Sequence, residues 1–323
     1  MIKNIKELGN INKLYTIYKL YFQFRFKLSN YIELTNGLNS LILGFNKKYT
    51  LEPRCAIKWT ISSKHSLSIG WGIHGFMVPL FIYSQKLYIS DSSFIFPNNN
   101  LDFLKSIHYI ISYNYYFPNK TTLSIETYYQ YLYDIPVSQD KEGISLINMF
   151  SGIDGPIDYT NLVNKGTGKN YGIEITIERK LSKGFYFLFT NSLFKSTYTD
   201  IKGIIRNTAF SSNFVFNLLM GKEIKLNSRN YINIDIKNGW GGSRRYVPYE
   251  VIQISEYYYV QKFDWQNAYT KRYPDYFRIN VRISIRRNNP KYSIELAMDF
   301  INITNHKNIF FKSYDPTTGE IRK

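Results

Sequence analysis

Polar and apolar side chains alternate along much of this chain of 323 residues. In Tyr171–Lys180, apolar Tyr171, Ile173, Ile175 and Ile177 interleave with polar Glu174, Thr176 and Glu178. A period of two predicts a strand with one apolar and one polar face. The same period sets Phe22, Phe24, Phe26 and Leu28 against Tyr21, Gln23, Arg25 and Lys27, and Ile232, Ile234 and Ile236 against Asn233, Asp235 and Lys237. Later, Phe277, Ile279, Val281, Ile283 and Ile285 oppose Arg278, Asn280, Arg282, Ser284 and Arg286. Ile294, Leu296, Met298 and Phe300 oppose Ser293, Glu295 and Asp299.

Extended along the chain, the pattern predicts strands near 19–28, 31–42, 52–61, 66–72, 105–116, 121–132, 170–180, 185–198, 210–220, 230–238, 271–285 and 292–303. Turn-like links fall at Ser29–Asn30, Ser62–His65, Phe117–Lys120, Leu181–Gly184, Gly221–Arg229 and Arg286–Lys291. Longer links fall at Leu43–Leu51, Ile73–Leu104, Tyr133–Lys169, Thr199–Ala209 and Gly239–Thr270. Short and long links therefore alternate, as they do between the two rims of an outer-membrane barrel. Many of these strands approach the roughly 9–11 residues that a tilted strand needs to cross a bilayer. A soluble sandwich has no reason to keep this order. The expected fold class is all-β, an antiparallel transmembrane β-barrel, with apolar faces toward lipid and polar faces toward a lumen. Because hydrocarbon offers backbone groups no partner, such a sheet has to close.

Composition agrees with strands at a membrane interface: 30 Tyr, 23 Phe, 44% hydrophobic residues and a mean hydropathy of −0.30 suit a pleated, interfacial surface better than an apolar core. No apolar run nears the ~20 residues of a spanning helix. The start of the chain does not read as a signal peptide, so an export signal is expected upstream of Met1. The net charge of +17 would suit nucleic acid, but the basic residues are scattered and no nucleic-acid motif accompanies them, so no nucleic-acid partner is expected. The single cysteine, Cys55, excludes an internal disulfide.

Candidate chemistry is sparse. His65, His74, His108 and His306 show no metal-ligand spacing and read as isolated loop or rim residues. Glu174 and Glu178 could pass for an acid pair, but alternate polar positions simply line a lumen. Arg278, Arg282 and Arg286 form a basic row, expected to be lumen-facing like the two glutamates and balanced by carboxylates on neighbouring strands. Gly166-Thr167-Gly168 and Gly239-Trp240-Gly241-Gly242 lack the Lys-Ser/Thr of a phosphate loop and read as loop or strand-start glycines. Trp71, Tyr128, Tyr131 and Tyr133 are placed near strand ends as an aromatic girdle. No catalytic, cofactor or metal site is expected, and the chain does not read as an enzyme.

Several segments resemble the TonB-dependent receptors of the Bacteroidetes type. They are LEPRCAIKW at Leu51–Trp59, the two stretches within His108–Val137, Leu162–Tyr198, Arg206–Leu226, NGWGGSRRYVPY at Asn238–Tyr249 and FINITNHKNIF at Phe300–Phe310. The resemblance covers nearly everything from about Tyr21 onward. It implies a plugged barrel of about 22 strands in the bacterial outer membrane, which binds a scarce nutrient outside and is driven through its plug by TonB. Outer-membrane lipid, a plug domain, TonB and a small nutrient are thus the implied partners. Set against that pattern, residues 1–18 read as a stub or loop remnant and 19–323 as a partial barrel lacking its final strand, inactive alone. The alternatives are a self-contained smaller barrel and a soluble β-rich surface-binding protein.

Overall fold

The computed structural model describes residues 15–90, 93–149 and 159–322. Twelve long strands follow one another: β1 (Ile17–Lys27), β2 (Ile32–Leu43), β3 (Tyr49–Thr60), β4 (His65–Phe76), β5 (Leu104–Tyr116), β6 (Thr121–Ser138), β7 (Leu162–Ser182), β8 (Phe185–Thr199), β9 (Phe214–Lys225), β10 (Asn230–Gly241), β11 (Tyr276–Asn288) and β12 (Ser293–Phe300). Each is antiparallel to the next, in sequence order, within one sheet, and a short strand at Ile205–Asn207 adds to the end of β8. Among the described residues β1 and β12 pair with one neighbour each, so the sheet stays open, and no second sheet packs across it. No helix is long and apolar enough to cross a membrane.

Register converts the sequence alternation into two continuous faces. Ile125 lies opposite Ile175, and Ile175 opposite Asn191; one residue along, Glu126 faces Glu174, which faces Ser192. The apolar face carries Phe22, Phe24 and Phe26 of β1, Ile173–Ile177 of β7 and Leu296 of β12, with Leu20 and Leu296 each 75% exposed. An aliphatic surface left this bare in water has no favourable term of its own, whereas hydrocarbon stabilises it. On β7 the outward row reads Lys169, Tyr171, Ile173, Ile175, Ile177, Arg179. Ten residue steps along a tilted strand give a band of about 25 Å, the height expected of a barrel's lipid-facing belt.

Short links 28–31, 61–64, 117–120, 183–184, 226–229 and 289–292 lie at one end of the sheet, and the long links 77–103, 139–161, 200–213 and 242–275 at the other. The two-residue turn between β7 and β8 holds Lys183 at φ 53 and Gly184 at φ 70, the double positive φ that matches strand twist. All buried hydrophobics among the described residues sit at the long-link end. One cluster joins Leu43 to Val78, Ile82, Tyr83, Leu101 and Phe103 of one link and Ile144 and Leu146 of the next. A second joins Tyr198, Ala209, Val247, Ala268 and Tyr269. The core is thus a roof over one rim, and the sheet beneath it has no hydrophobic core of its own.

Several boundaries differ from expectation. β1 begins at Ile17, inside the expected stub 1–18, whose residues 1–14 lie outside the described residues. β6 and β7 run on to Ser138 and back to Leu162, so their paired ends extend past the neighbouring strands and take in Gly166-Thr167-Gly168, which is therefore strand and not loop. β11 starts at Tyr276 because Pro274 interrupts it; Lys271–Arg272 pairs instead with Arg245–Tyr246. The β9–β10 turn narrows to 226–229, since pairing persists to Lys225↔Tyr231. β12 ends at Phe300, where Asn302 (φ 54) and Asn305 (φ 51) turn left-handed.

Candidate functional site

Because each long strand presents every second residue to the polar face, side chains distant in sequence become neighbours there. A hydrogen-bonded belt crosses four strands and reaches into the roof. The Nε2 of His108 lies 2.7 Å from Ser106 Oγ, and Gln130 Nε2 lies 3.4 Å from His108 Nδ1. Asn170 Nδ2 donates to Gln130 Oε1 at 3.1 Å, Ser196 Oγ to Asn170 Oδ1 at 2.6 Å, and Thr208 Oγ1 to Ser196 Oγ at 2.8 Å. Gln130 donating to Nδ1 suits the tautomer that carries its proton on Nε2. On the other side of His108 lies the ring of His74, with centroids 4.4 Å apart. Beyond it, buried Glu52 accepts through one oxygen from Arg54 Nη2 (2.8 Å) and Asn39 Nδ2 (2.9 Å). A cavity of about 270 Å³ opens here, lined by Gln23, Gly37, Arg54, Gly72, His74 and His108.

His74 and His108 therefore belong to the interiors of long strands and meet each other, contrary to their reading as isolated loop or rim residues. His65 opens β4 beside Tyr113, 2.7 Å from Nδ1 to the hydroxyl, and His306 lies beyond β12, edge-on to Phe277. Among the described residues no group of three or more His, Cys, Asp or Glu could hold a metal.

Glu174 and Glu178 share the polar face four residues apart on β7, about 13 Å along the strand. The carboxylate that comes beside Glu174 is Glu126, its register partner on β6, and the pair lines a cleft of about 400 Å³ with Tyr128, Asn170 and Phe194. Ser192 Oγ donates to Glu174 at 3.3 Å. Tyr128 is thus a polar-face residue, and only Tyr131 and Tyr133, stacked at 6.2 Å on the outward face, sit at the expected rim. Trp71 is likewise outward but mid-strand, because β4 runs on to Phe76.

Two members of the basic row of β11 are matched with acids. Arg282 bridges Asp299 (3.0 Å) and Glu295 (3.3 Å) of β12, and Arg286 reaches Glu223 of β9 at 2.6 Å, across the intervening β10. Arg278 donates to Asn280 at 2.9 Å. Tyr186 spans β9 in the same way, donating to Asp235 at 2.5 Å. Gly221 lies between those two in register, and a Cβ there would stand 2.3 Å from the Asp235 oxygen.

Above the belt, three polar nodes, two of them buried and one half-buried, tie the long links together. Asp200 accepts from Arg206 Nε (2.9 Å), Gly143 N (3.1 Å), Lys202 N (3.0 Å) and Ile204 N (3.1 Å), while Arg206 also donates to the carbonyl of Gln266. Burial alone would raise the Asp200 carboxyl; the Arg206 hydrogen bond and the backbone donors outweigh it and hold it below the usual carboxylate value. Asn98 donates to the carbonyls of Ile82 (3.1 Å) and Tyr159 (2.6 Å) and accepts from Leu162 N (2.9 Å). Arg245 donates to Ser211 O (3.0 Å) and Asn213 Oδ1 (3.1 Å). Burial and the neighbouring Arg272 lower its guanidinium from the usual value. None of these nodes stands out in the sequence, because each joins links that are far apart along the chain.

No protein-family model and no curated protein matches this sequence. Solved structures do match its fold. The outer membrane transporter YddB of Escherichia coli superposes with a TM-score of 0.64 at 12% identity, over 94% of this chain and 43% of the transporter. Fiu, the ferric-catecholate import receptor of E. coli, gives 0.64 at 10% identity over 92% and 41%. FyuA, the ferric yersiniabactin uptake receptor of Yersinia pestis, gives 0.61 at 11% over 95% and 43%. The chain thus has the β-barrel fold of outer-membrane receptors, and spans less than half the length of those it matches.

Proposed function

We propose that this chain is a large part of the barrel of an outer-membrane receptor that takes up a small nutrient, with energy supplied through TonB. The observation that carries this reading is the fold match, which takes in 94% and 95% of the chain in two of the similar structures. The bare apolar band, the polar belt behind it and the roofed long-link rim suit that role. On this reading Glu174, Glu178, Arg278, Arg282 and Arg286 line the lumen, a plug packs against them, and the long links form the outer vestibule. Two of the similar structures carry ferric chelates by name, and a ferric chelate is the substrate class we propose. The open edges of β1 and β12 need further strands, which argues that this chain works within a larger barrel. The resemblance to receptors of the Bacteroidetes type belongs to the same proposal.

Two measurements test it: density-gradient separation of membranes from cells making the native gene product, and uptake of radiolabelled ferric chelate with and without TonB. Recovery in the outer-membrane fraction and TonB-dependent uptake are expected. Recovery as a soluble monomer would sink the reading.

A further inference from the structure

The six short links of the sheet contain five charged residues, Lys64, Lys120, Lys183, Arg229 and Lys291, and no carboxylate. All five are exposed. Outward rows on the apolar face carry the same sign near this rim: Ile175, Ile177, Arg179 on β7; Met220, Lys222, Ile224 on β9; Ile283, Ile285, Arg287 on β11. The opposite rim is different, because its long links carry both signs and several of these charges pair there. Lys105 lies 3.1 Å from Asp134 and 3.6 Å from Asp102, Arg206 lies 2.9 Å from Asp200, and Arg272 lies 3.1 Å from Asp275. Ion pairs near the turns, such as Arg286–Glu223 and Arg25–Glu33, lie on the polar face. Among the described residues no carboxylate lies within ion-pair distance of the five turn cations.

We propose that the short-link rim is a docking surface for the headgroups of anionic phospholipids, of phosphatidylglycerol or cardiolipin chemistry, in the leaflet it faces. This rests on the membrane-barrel reading above. Position favours lipid over a more distant polyanion. Arg287 follows Ile285, the last apolar outward residue of β11, by two positions, about 7 Å along a strand, which is headgroup depth. Trp59, Tyr31 and Tyr292, all exposed at the same rim, are the amphipathic side chains that settle at that depth. Several cations within about one screening length of a phosphate layer add up in attraction, and flexible lysines and arginines can follow mobile headgroups without a fixed pocket.

The test incorporates the native gene product, with the strands that complete its barrel, into vesicles of phosphatidylcholine mixed with phosphatidylglycerol, extracts it in mild detergent and measures the retained phospholipids by mass spectrometry. Enrichment of phosphatidylglycerol over the bulk mixture by roughly threefold or more is expected, falling toward bulk in the Lys64→Gln, Lys120→Gln, Lys183→Gln, Arg229→Gln, Lys291→Gln variant. A companion with Arg at the four lysine positions should keep the enrichment. A chain that incorporates but retains lipids at the bulk ratio overturns the lipid proposal alone. A glutamine variant that retains as much phosphatidylglycerol as the parent overturns it too. A native product that enters no such vesicle overturns the barrel reading on which the proposal stands.

Discussion

At the residue scale, the roof depends on charges that burial alone would not tolerate. Asp200 and Arg206 are both almost fully buried and satisfy each other; removing one leaves the other uncompensated, at a cost of about 3–5 kcal/mol. Arg206→Met is therefore expected to loosen the long-link rim far more than the double variant Asp200→Asn, Arg206→Met. Emission from Trp265, in a background whose other three tryptophans are phenylalanine, reports the difference during urea titration. The sign of the pH dependence follows from the depressed carboxyl of Asp200. Its stabilisation is complete above the unfolded value of about 3.9 and is lost as pH falls through the lower folded value. The roof should then open in acid below about pH 4, and Asp200→Asn should flatten that limb. Tyr83 works at the other extreme: burial, then Asp102, raises its phenol. Its contribution is present below about pH 10 and fades above it, a limb that Tyr83→Phe should remove.

At the scale of elements, hairpins and long crossings differ in how much of them could be read from sequence. Alternation marks each strand's faces, and a short turn fixes the register of the hairpin around it. Thus His108 facing Gln130 follows from the 117–120 turn between β5 and β6. Long links fix no register, so the meeting of His74 with the 106–108 segment, across 77–103, and of Glu126 with Glu174, across 139–161, was hidden. The same limit hid the roof, whose partners are held by single buried side chains such as Asn98. Asn98→Ala would orphan the Leu162 amide and two carbonyls at about 1–3 kcal/mol. Proteolysis within 77–103 is expected to quicken at least severalfold while cleavage of the short turns stays unchanged; equal rates at both sites would show that Asn98 does not anchor the roof. The β7–β8 turn offers the opposite change. Lys183 adopts a left-handed conformation that Asn accepts more readily, so Lys183→Asn should raise the urea midpoint by an amount equivalent to about 1 kcal/mol, and a lowered midpoint would refute the turn assignment.

At the scale of the whole molecule, the proposed membrane surface is a sheet without an end. Every residue of β1 and of β12 is exposed, and each strand pairs along only one side. In water the free edge would be solvated; in hydrocarbon each unpaired N–H or C=O costs several kcal/mol, so an edge of eleven residues cannot stay open within a bilayer. The chain in membranes must therefore meet strands beyond the twelve described, whether they come from a longer polypeptide or from a second copy. Hydrogen exchange separates the possibilities that matter. In the membrane-inserted native product, β1 amides on both sides of the strand are expected to exchange as slowly as those of β5, which is paired along both sides. After extraction into detergent without the completing strands, the outer half of the β1 amides should exchange within the time that β5 stays protected. Rapid exchange of β1 in the membrane itself would mean that the edge faces water, and the sheet would then lie outside the hydrocarbon. Slow exchange would locate the seam at which the rest of the barrel joins.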